Sequence, residues 1–295
     1  MNNMKTSTLA HYFAASICVL LSLEGCSTSH PTVSTRPAST TSQIDSTTPE
    51  IRSNSWAPQM SPGIWHYLIR DSSVISINND TTARVEPIES TTIYTMSVAD
   101  SNNSLFLAGH VDSLVVNSRL STKSASDTTR STELQASISK QGQLVRINQR
   151  VPTSCAGAGN SPSLRLGELL ATLPTHSVRV GDKWSDTSST TTCHGKIPLT
   201  QTAVREYELL DLSSCQRNGA KVRRIVSETL SGSSPETTNH LSATGSGTAS
   251  AILCLDQNTG VLLASDGESR LNLTVTTIRG VFPFTQKTRT HIEAR

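Results

Sequence analysis

This chain is poor in the residues that usually betray a function. Aromatics fill 4% of its 295 positions and charged residues 16%, and the formal net charge is only +2. So small a charge supplies no basic field for nucleic acid, and no acidic run points to a polycation partner. Hydrophobic residues reach only 35% and mean hydropathy is -0.24; a multi-span membrane protein is excluded. Gly-x-Ser-x-Gly, Cys-x-x-Cys and His-x-x-x-His are all absent, which removes the commonest sequence signs of a serine hydrolase or a zinc site. What is abundant is hydroxyl: 45 Ser and 39 Thr, 84 of the 295 residues.

The N-terminus is the most informative stretch. Lys5 gives a positive start, Leu9 to Leu23 form a mostly apolar run with Phe13, Ile17, Val19, Leu20 and Leu21, and Leu23-Glu24-Gly25-Cys26 closes it. The run is too short for a durable span and reads as a cleaved export signal over 1–25. Leu23, Gly25 and Cys26 resemble the lipobox of a bacterial lipoprotein signal peptide; Glu24 stands where that family usually has a small or apolar residue. The resemblance implies a diacylglyceryl group on the Cys26 sulfur, cleavage before it and acylation of its amine. Several acyl chains anchor firmly, at about 0.8 kcal/mol per buried methylene. The implied address is the cell envelope, with the membrane as partner through the lipid. Ser27 after the Cys implies the outer membrane if the source is Gram-negative.

Positions 26–62 are Ser, Thr and Pro with little apolar content, too little to offset the entropy of ordering; they read as a disordered tether. Trp56 and Met60 are its only large apolar groups and are expected to dock on the domain that follows. Six Cys are present; Cys18 falls in the signal and Cys26 takes the lipid. Cys155, Cys193, Cys215 and Cys254 remain, an even number in an exported chain, which favours two disulfides. Of three connectivities, Cys155–Cys193 with Cys215–Cys254 is favoured because neither pair crosses the other. A metal alternative rests on His176 and the Cys193-His194 neighbours, and is outweighed for want of ligand spacing.

Beyond the tether, apolar residues alternate in short runs between turn signals, as antiparallel strands require: Trp65, Tyr67, Ile69; Tyr94, Met96, Val98; Leu134, Ala136, Ile138, then Val145 and Ile147 after a Lys140–Gln143 turn; Tyr207, Leu209; and Leu271, Leu273, Val275. Residues 251–264 read as a hairpin around Asp256–Gly260. Leu105–Ala108 and Leu114–Val116, apolar on both sides, suggest a more buried strand with Gly109 as a bulge or bend. Ser161-Pro162, a leucine face through Leu173, and Pro174 predict one short helix near 162–173. It divides the chain into β-units at 63–150 and 151–295, either two sheets of one domain or two similar halves. The expected class is all-β, mainly antiparallel, a curved sheet or half-barrel.

Val180-Gly181-Asp182-Lys183-Trp184 is similar to the start of a sheet in uncharacterised exported β-proteins, lipoproteins among them. With the lipobox it suggests a weak similarity to half-barrel lipoprotein carriers, whose curved sheet wraps an apolar cavity. That resemblance implies Trp65, Tyr67, Leu105, Leu271 and Leu273 as an inward lining for an apolar ligand.

Catalytic patterns are thin. Ser137-x-x-Lys140 matches an acyl-transfer motif, but on a strand the two positions face opposite sides. His110 and Asp112, two apart, share one strand face and could pair as a His-carboxylate unit. Asp182 and Asp186 read as turn and strand-edge residues. Gly157-Ala-Gly159 and Gly245-Ser-Gly247 read as flexible loops, and Arg223, Arg224 and Arg279 as isolated cations. The expectation is a non-enzymatic protein without cofactor or metal, of binding or envelope-structural type, with an apolar ligand or an envelope protein as partner and no nucleic acid. A carrier of lipid is the first alternative, and a hydrolase using His110 and Asp112 the second.

Overall fold

A computed structural model describes residues 55–79, 82–101, 104–118, 134–147, 168–194, 197–215, 219–234 and 241–295. Thirteen strands follow in order: β1 (Ser55–Trp56), β2 (Gly63–Asn79), β3 (Thr82–Ser101), β4 (Ser104–Ser118), β5 (Leu134–Ile138), β6 (Leu144–Ile147), β7 (Val178–Arg179), β8 (Lys183–His194), β9 (Ile197–Cys215), β10 (Gly219–Ser233), β11 (Ser242–Leu255), β12 (Leu262–Thr277) and β13 (Gly280–Ala294). Eleven form one antiparallel sheet in the order β6-β5-β4-β3-β2-β13-β12-β11-β10-β9-β8, while β1 pairs with β7 alone. The chain's first and last long strands meet, Ile69 opposite Ile292, so both predicted β-units lie in a single sheet.

The sheet is strongly curled. Thr172 bonds Asp186 of β8 and Tyr207 of β9, while its neighbour Leu173 bonds Gln141 in the β5–β6 turn, yet nine strand spacings separate β5 from β8, about 43 Å if the sheet were flat. Among the described residues closure stops short of pairing, with β6 and β8 as the two edges. The inward face alternates along each strand, through Tyr67, Ile69, Asp71, Ser73 and Ile75 on β2 and Tyr207, Arg205, Ala203 and Gln201 on β9, all turned to the same side by the register.

Local chemistry explains the joints. In the β11–β12 turn, Asp256 Oδ1 accepts from the Asn258 and Thr259 amides at 3.0 and 2.8 Å, and Gly260 takes φ +65°, as the sequence pattern required. The strand read around Gly109 is β4, but its irregularity falls later, where the pairing shifts between Ile93–Ser113 and Tyr94–Val111. That shift changes the phase: Leu105 and Leu107 face inward at odd positions and Leu114 at an even one. Apolar residues in both phases therefore mark a bulge; Val115 is 43% exposed, so the strand is not buried on both faces.

Three expectations are corrected. Residues 55–62 belong to the fold, not to the tether: Trp56 pairs with Val178 and is buried beside Met60, so both dock as their size predicted. Only Glu168 and Leu169 of the expected helix are helical within the described residues, and the chain from Leu170 to Leu173 is not. Leu169, Leu170 and Leu173 are buried in the core that the inward face of the sheet forms. Gly245 and Gly247 lie inside β11, not in a loop; the Glu228 side chain occupies the space a Cβ on Gly247 would fill. The signal at 1–25, Cys26, the tether to 54, Cys155 and Gly157-Ala-Gly159 lie outside the described residues.

Candidate functional site

The inward face changes character along the strands. At one end it is a large apolar core: Tyr67 and Ile69 of β2, Leu105 and Leu107 of β4, Tyr207 and Leu209 of β9 and Leu253 of β11 all pack together. A strap, residues 168–174, runs through this end and is held on both sides of the open sheet. On one side the Leu173 amide donates to Gln141 O at 2.7 Å, in the β5–β6 turn. On the other, Thr172 uses all three of its polar groups. Its amide donates to the Tyr207 hydroxyl at 3.3 Å, its hydroxyl to Asp186 Oδ2 at 2.8 Å, and its carbonyl accepts from Trp184 Nε1 at 2.7 Å. Trp184 stacks on Tyr207 with ring centroids 5.5 Å apart, and Trp56 lies 6.2 Å from Trp184. The Val180–Trp184 phrase therefore starts the edge strand that receives the strap.

The middle of the inward face is polar. Asp71 accepts from Ser90 Oγ at 3.1 Å and Thr290 Oγ1 at 2.8 Å, and Ser73 pairs with Thr288 at 2.8 Å. Across the interior, Gln201 donates to Glu228 at 2.5 Å, and Arg205 donates to Ser188 at 2.7 Å and lies 3.7 Å from Asp186. Arg224, read from sequence as an isolated cation, is buried and donates to Glu168 O of the strap at 3.2 Å. Burial pushes its guanidinium pKa down, with Tyr207 and Glu168 opposing the shift. Alternation along β10 could have placed Arg224 inside; a charged residue at an inward position simply went against expectation. Burial also raises the pKa of Tyr67, Tyr94 and Tyr207, and neither the Tyr67 nor the Tyr94 hydroxyl has a hydrogen-bond partner among the described residues.

At the far end the face turns aliphatic again: Ile75, Ile77, Ile88, Ile197, Leu199, Leu230, Val275 and Phe284 form a second cluster. The five residues expected to line one cavity are split between the two ends. Tyr67, Leu105 and the partly buried Trp65 belong to the strap end; Leu271 and Leu273 are half-buried at the far end, with Phe282 beside them.

His110 and Asp112 do meet, His110 Nε2 to Asp112 Oδ1 at 2.9 Å, on the outward face. The sequence did not show what joins them. Thr95 donates to Asp112 Oδ2 at 2.6 Å and contacts His66 Nδ1 at 2.8 Å. With its one proton given to Asp112, the Thr95 oxygen accepts from His66, so this hydroxyl is committed to structure. Asp112 is the extra residue of the register shift between Ile93–Ser113 and Tyr94–Val111. Ser137 and Lys140 form no pair: Ser137 is in β5 and Lys140 in the turn, where Ser139 Oγ accepts the Gln141 and Gln143 amides. Among the described residues no three His, Cys, Asp or Glu side chains gather as a metal site would require. Asp182 holds a turn by accepting the Arg179 amide at 2.8 Å.

Cys215 and Cys254 form a disulfide, as the favoured pairing has it; it ties the end of β9 to β11 across β10. The Cys155–Cys193 pairing lies outside the described residues. The rest of the outward face mixes hydroxyls and charges with exposed Val74, Val85, Val204, Ile225 and Ile252; an open groove of 720 Å³ crosses mid-sheet between Arg70, Glu89, Arg223, Asp266, Arg289 and His291. His291 Nδ1 sits 2.6 Å from Asp266 Oδ1 there.

No family model matches this chain, and no curated protein does. Among solved structures, OccK2 (OpdF) of Pseudomonas aeruginosa aligns with 78% of this chain and 98% of its own at 8% identity and a TM-score of 0.27. Its complex with glucuronate aligns at 8% identity over 80% and 99%, with a TM-score of 0.28. OpdQ of the same organism aligns at 6% identity over 78% and 97%, with a TM-score of 0.25. Likeness at these scores carries no argument about what this chain does.

Proposed function

We propose that this chain is a lipid-anchored protein of the bacterial cell envelope that works by binding, with the inward face of its curled sheet as the binding surface. The anchor rests on the Leu23–Cys26 lipobox. The sheet itself is ill suited to lipid contact, since mid-strand outward positions carry Arg70, Glu89, Glu268, Lys287 and Arg289, each costly in a hydrocarbon phase. Membrane attachment therefore falls to the acyl chains.

The observation that carries the binding reading is the far-end lip, where Leu271, Leu273 and Phe282 keep apolar surface accessible on the inward side. Behind it lie the hydroxyls and carboxylates of the mid-sheet belt. That order, apolar mouth and polar interior, suits an amphiphile with a hydrocarbon part, the carrier form of the binding reading. Native mass spectrometry of gently extracted protein tests it: a co-purifying acyl lipid, lost in Leu271→Lys/Leu273→Lys without change in the folded circular-dichroism spectrum, is the expected result. Repeated preparations with no bound mass would defeat it. Independently, Cys26→Ala should abolish acylation and membrane retention; a variant that stays acylated removes the anchor.

A further inference from the structure

Strand register lays out the groove on the outward face. Its floor runs over the backbone of one row of inward-pointing residues, Asp71 and Thr290 among them, and the outward rows on either side are its walls. One wall carries Thr91, Arg70, His291 and Asp266 on β3, β2, β13 and β12. The other carries Glu89, Ser72, Arg289 and Glu268 on the same four strands. Charge therefore changes sign in order across the groove: acid on β3, base on β2 and β13, acid on β12. Arg70 and Arg289 stand on opposite walls, diagonal across neighbouring strands, so the floor between them has a guanidinium on each side. Among the described residues neither has an ion pair, although Glu89 and Glu268 line the same groove. Arg223, further along, is taken by Glu208 at 3.2 Å. Asp266 grips His291 through Nδ1 at 2.6 Å; a carboxylate only accepts, so Nδ1 carries the proton and Nε2 is left for a ligand.

We propose that this groove binds a phosphodiester linking two polyol or sugar units, with the phosphate seated between Arg70 and Arg289. Each guanidinium offers paired N–H donors to phosphate oxygens, and the Ser72 hydroxyl beside Arg289 adds another. The carboxylates on both flanks accept from hydroxyls of the linked units and repel a ligand of consecutive charges. Three carboxylates facing two unpaired guanidiniums favour a singly charged diester over a dianionic monoester. From Glu89 on β3 to Glu268 on β12 is three strand spacings, about 14 Å, which leaves room for a small unit on each side of the phosphate. A free polyol phosphodiester and the headgroup of a lipid share this chemistry. The site uses neither the inward face nor the acyl anchor.

Isothermal titration of the full chain in mild uncharged detergent tests it, with glycerophosphoglycerol as soluble probe and tripolyphosphate as the ligand of consecutive charges. The diester should bind, and Arg70→Ala/Arg289→Ala, changed only at exposed positions, should weaken it at least tenfold with an unchanged circular-dichroism spectrum. Tripolyphosphate should bind more weakly than the diester, and gain at least tenfold in Glu89→Gln/Glu268→Gln. Phosphatidylglycerol in mixed micelles separates the sources: arginine-dependent affinity above that of the soluble probe assigns the lipid headgroup, and affinity no greater assigns the free diester. Absence of binding to both diester forms overturns the proposal, as does affinity that survives the arginine substitutions or tighter binding of tripolyphosphate by the unaltered chain.

Discussion

At the scale of single residues, the inward face is decided by a few steric and polar facts. The Tyr94 hydroxyl lies over the Cα of Gly109, where any Cβ would collide with it. Gly109→Ala should therefore destabilise by about 2 kcal/mol through overpacking, read from a urea midpoint. That glycine was visible in the sequence as special, yet its reason was not, because the tyrosine it accommodates is on another strand. Tyr67 and Tyr94 make the opposite case. Their hydroxyls are buried without a described partner, so Tyr67→Phe should leave stability equal or slightly higher. Their raised pKa values also set a sign. The folded state keeps the proton after the unfolded chain begins to lose it near pH 10, so stability is full below that point and falls as pH rises above it. Thermal melts between pH 9 and 11 should show the fall, and the Tyr67→Phe/Tyr94→Phe double variant should flatten it.

At the scale of elements, strands were legible and the strap was not. Alternation at Trp65–Ile69, Tyr94–Val98 and Leu271–Val275 marks β2, β3 and β12 because each has one inward side. The Leu164–Leu173 pattern has helical spacing, but of its described end only Glu168 and Leu169 are helical and Leu169–Leu173 are all buried, a tertiary demand that periodicity does not encode. Likewise His110 and Asp112 were paired correctly from their spacing, whereas His66 and Thr95 join them only through the register of β2, β3 and β4. Two element-level outcomes follow from these joints. Thr172→Val removes the hydroxyl bond to Asp186 and should cost about 1–2 kcal/mol in denaturant unfolding. Replacing Cys215 and Cys254 together by Ser should cost roughly 2–4 kcal/mol, since the bond closes a long loop of the unfolded chain.

At the scale of the whole molecule, the pairing of β2 with β13 makes the fold indivisible. The first β-unit contributes Tyr67 and Leu105 to the core and the second Tyr207, Leu253 and the strap. A fragment of residues 63–150 should consequently remain unfolded by NMR, and the intact chain should lose its β-sheet in one transition coincident by fluorescence and circular dichroism. The strap has a further consequence for size. A barrel closed by hydrogen bonds has a circumference set by whole numbers, its strand count and its shear, and cannot widen without slipping a full register step. Here the ring is fastened instead by Thr172, Leu173 and Arg224 side-chain and loop contacts, which act like a buckle on a collar. Its girth is therefore set by how those contacts meet across the gap between β6 and β8, and not by a strand count and a shear.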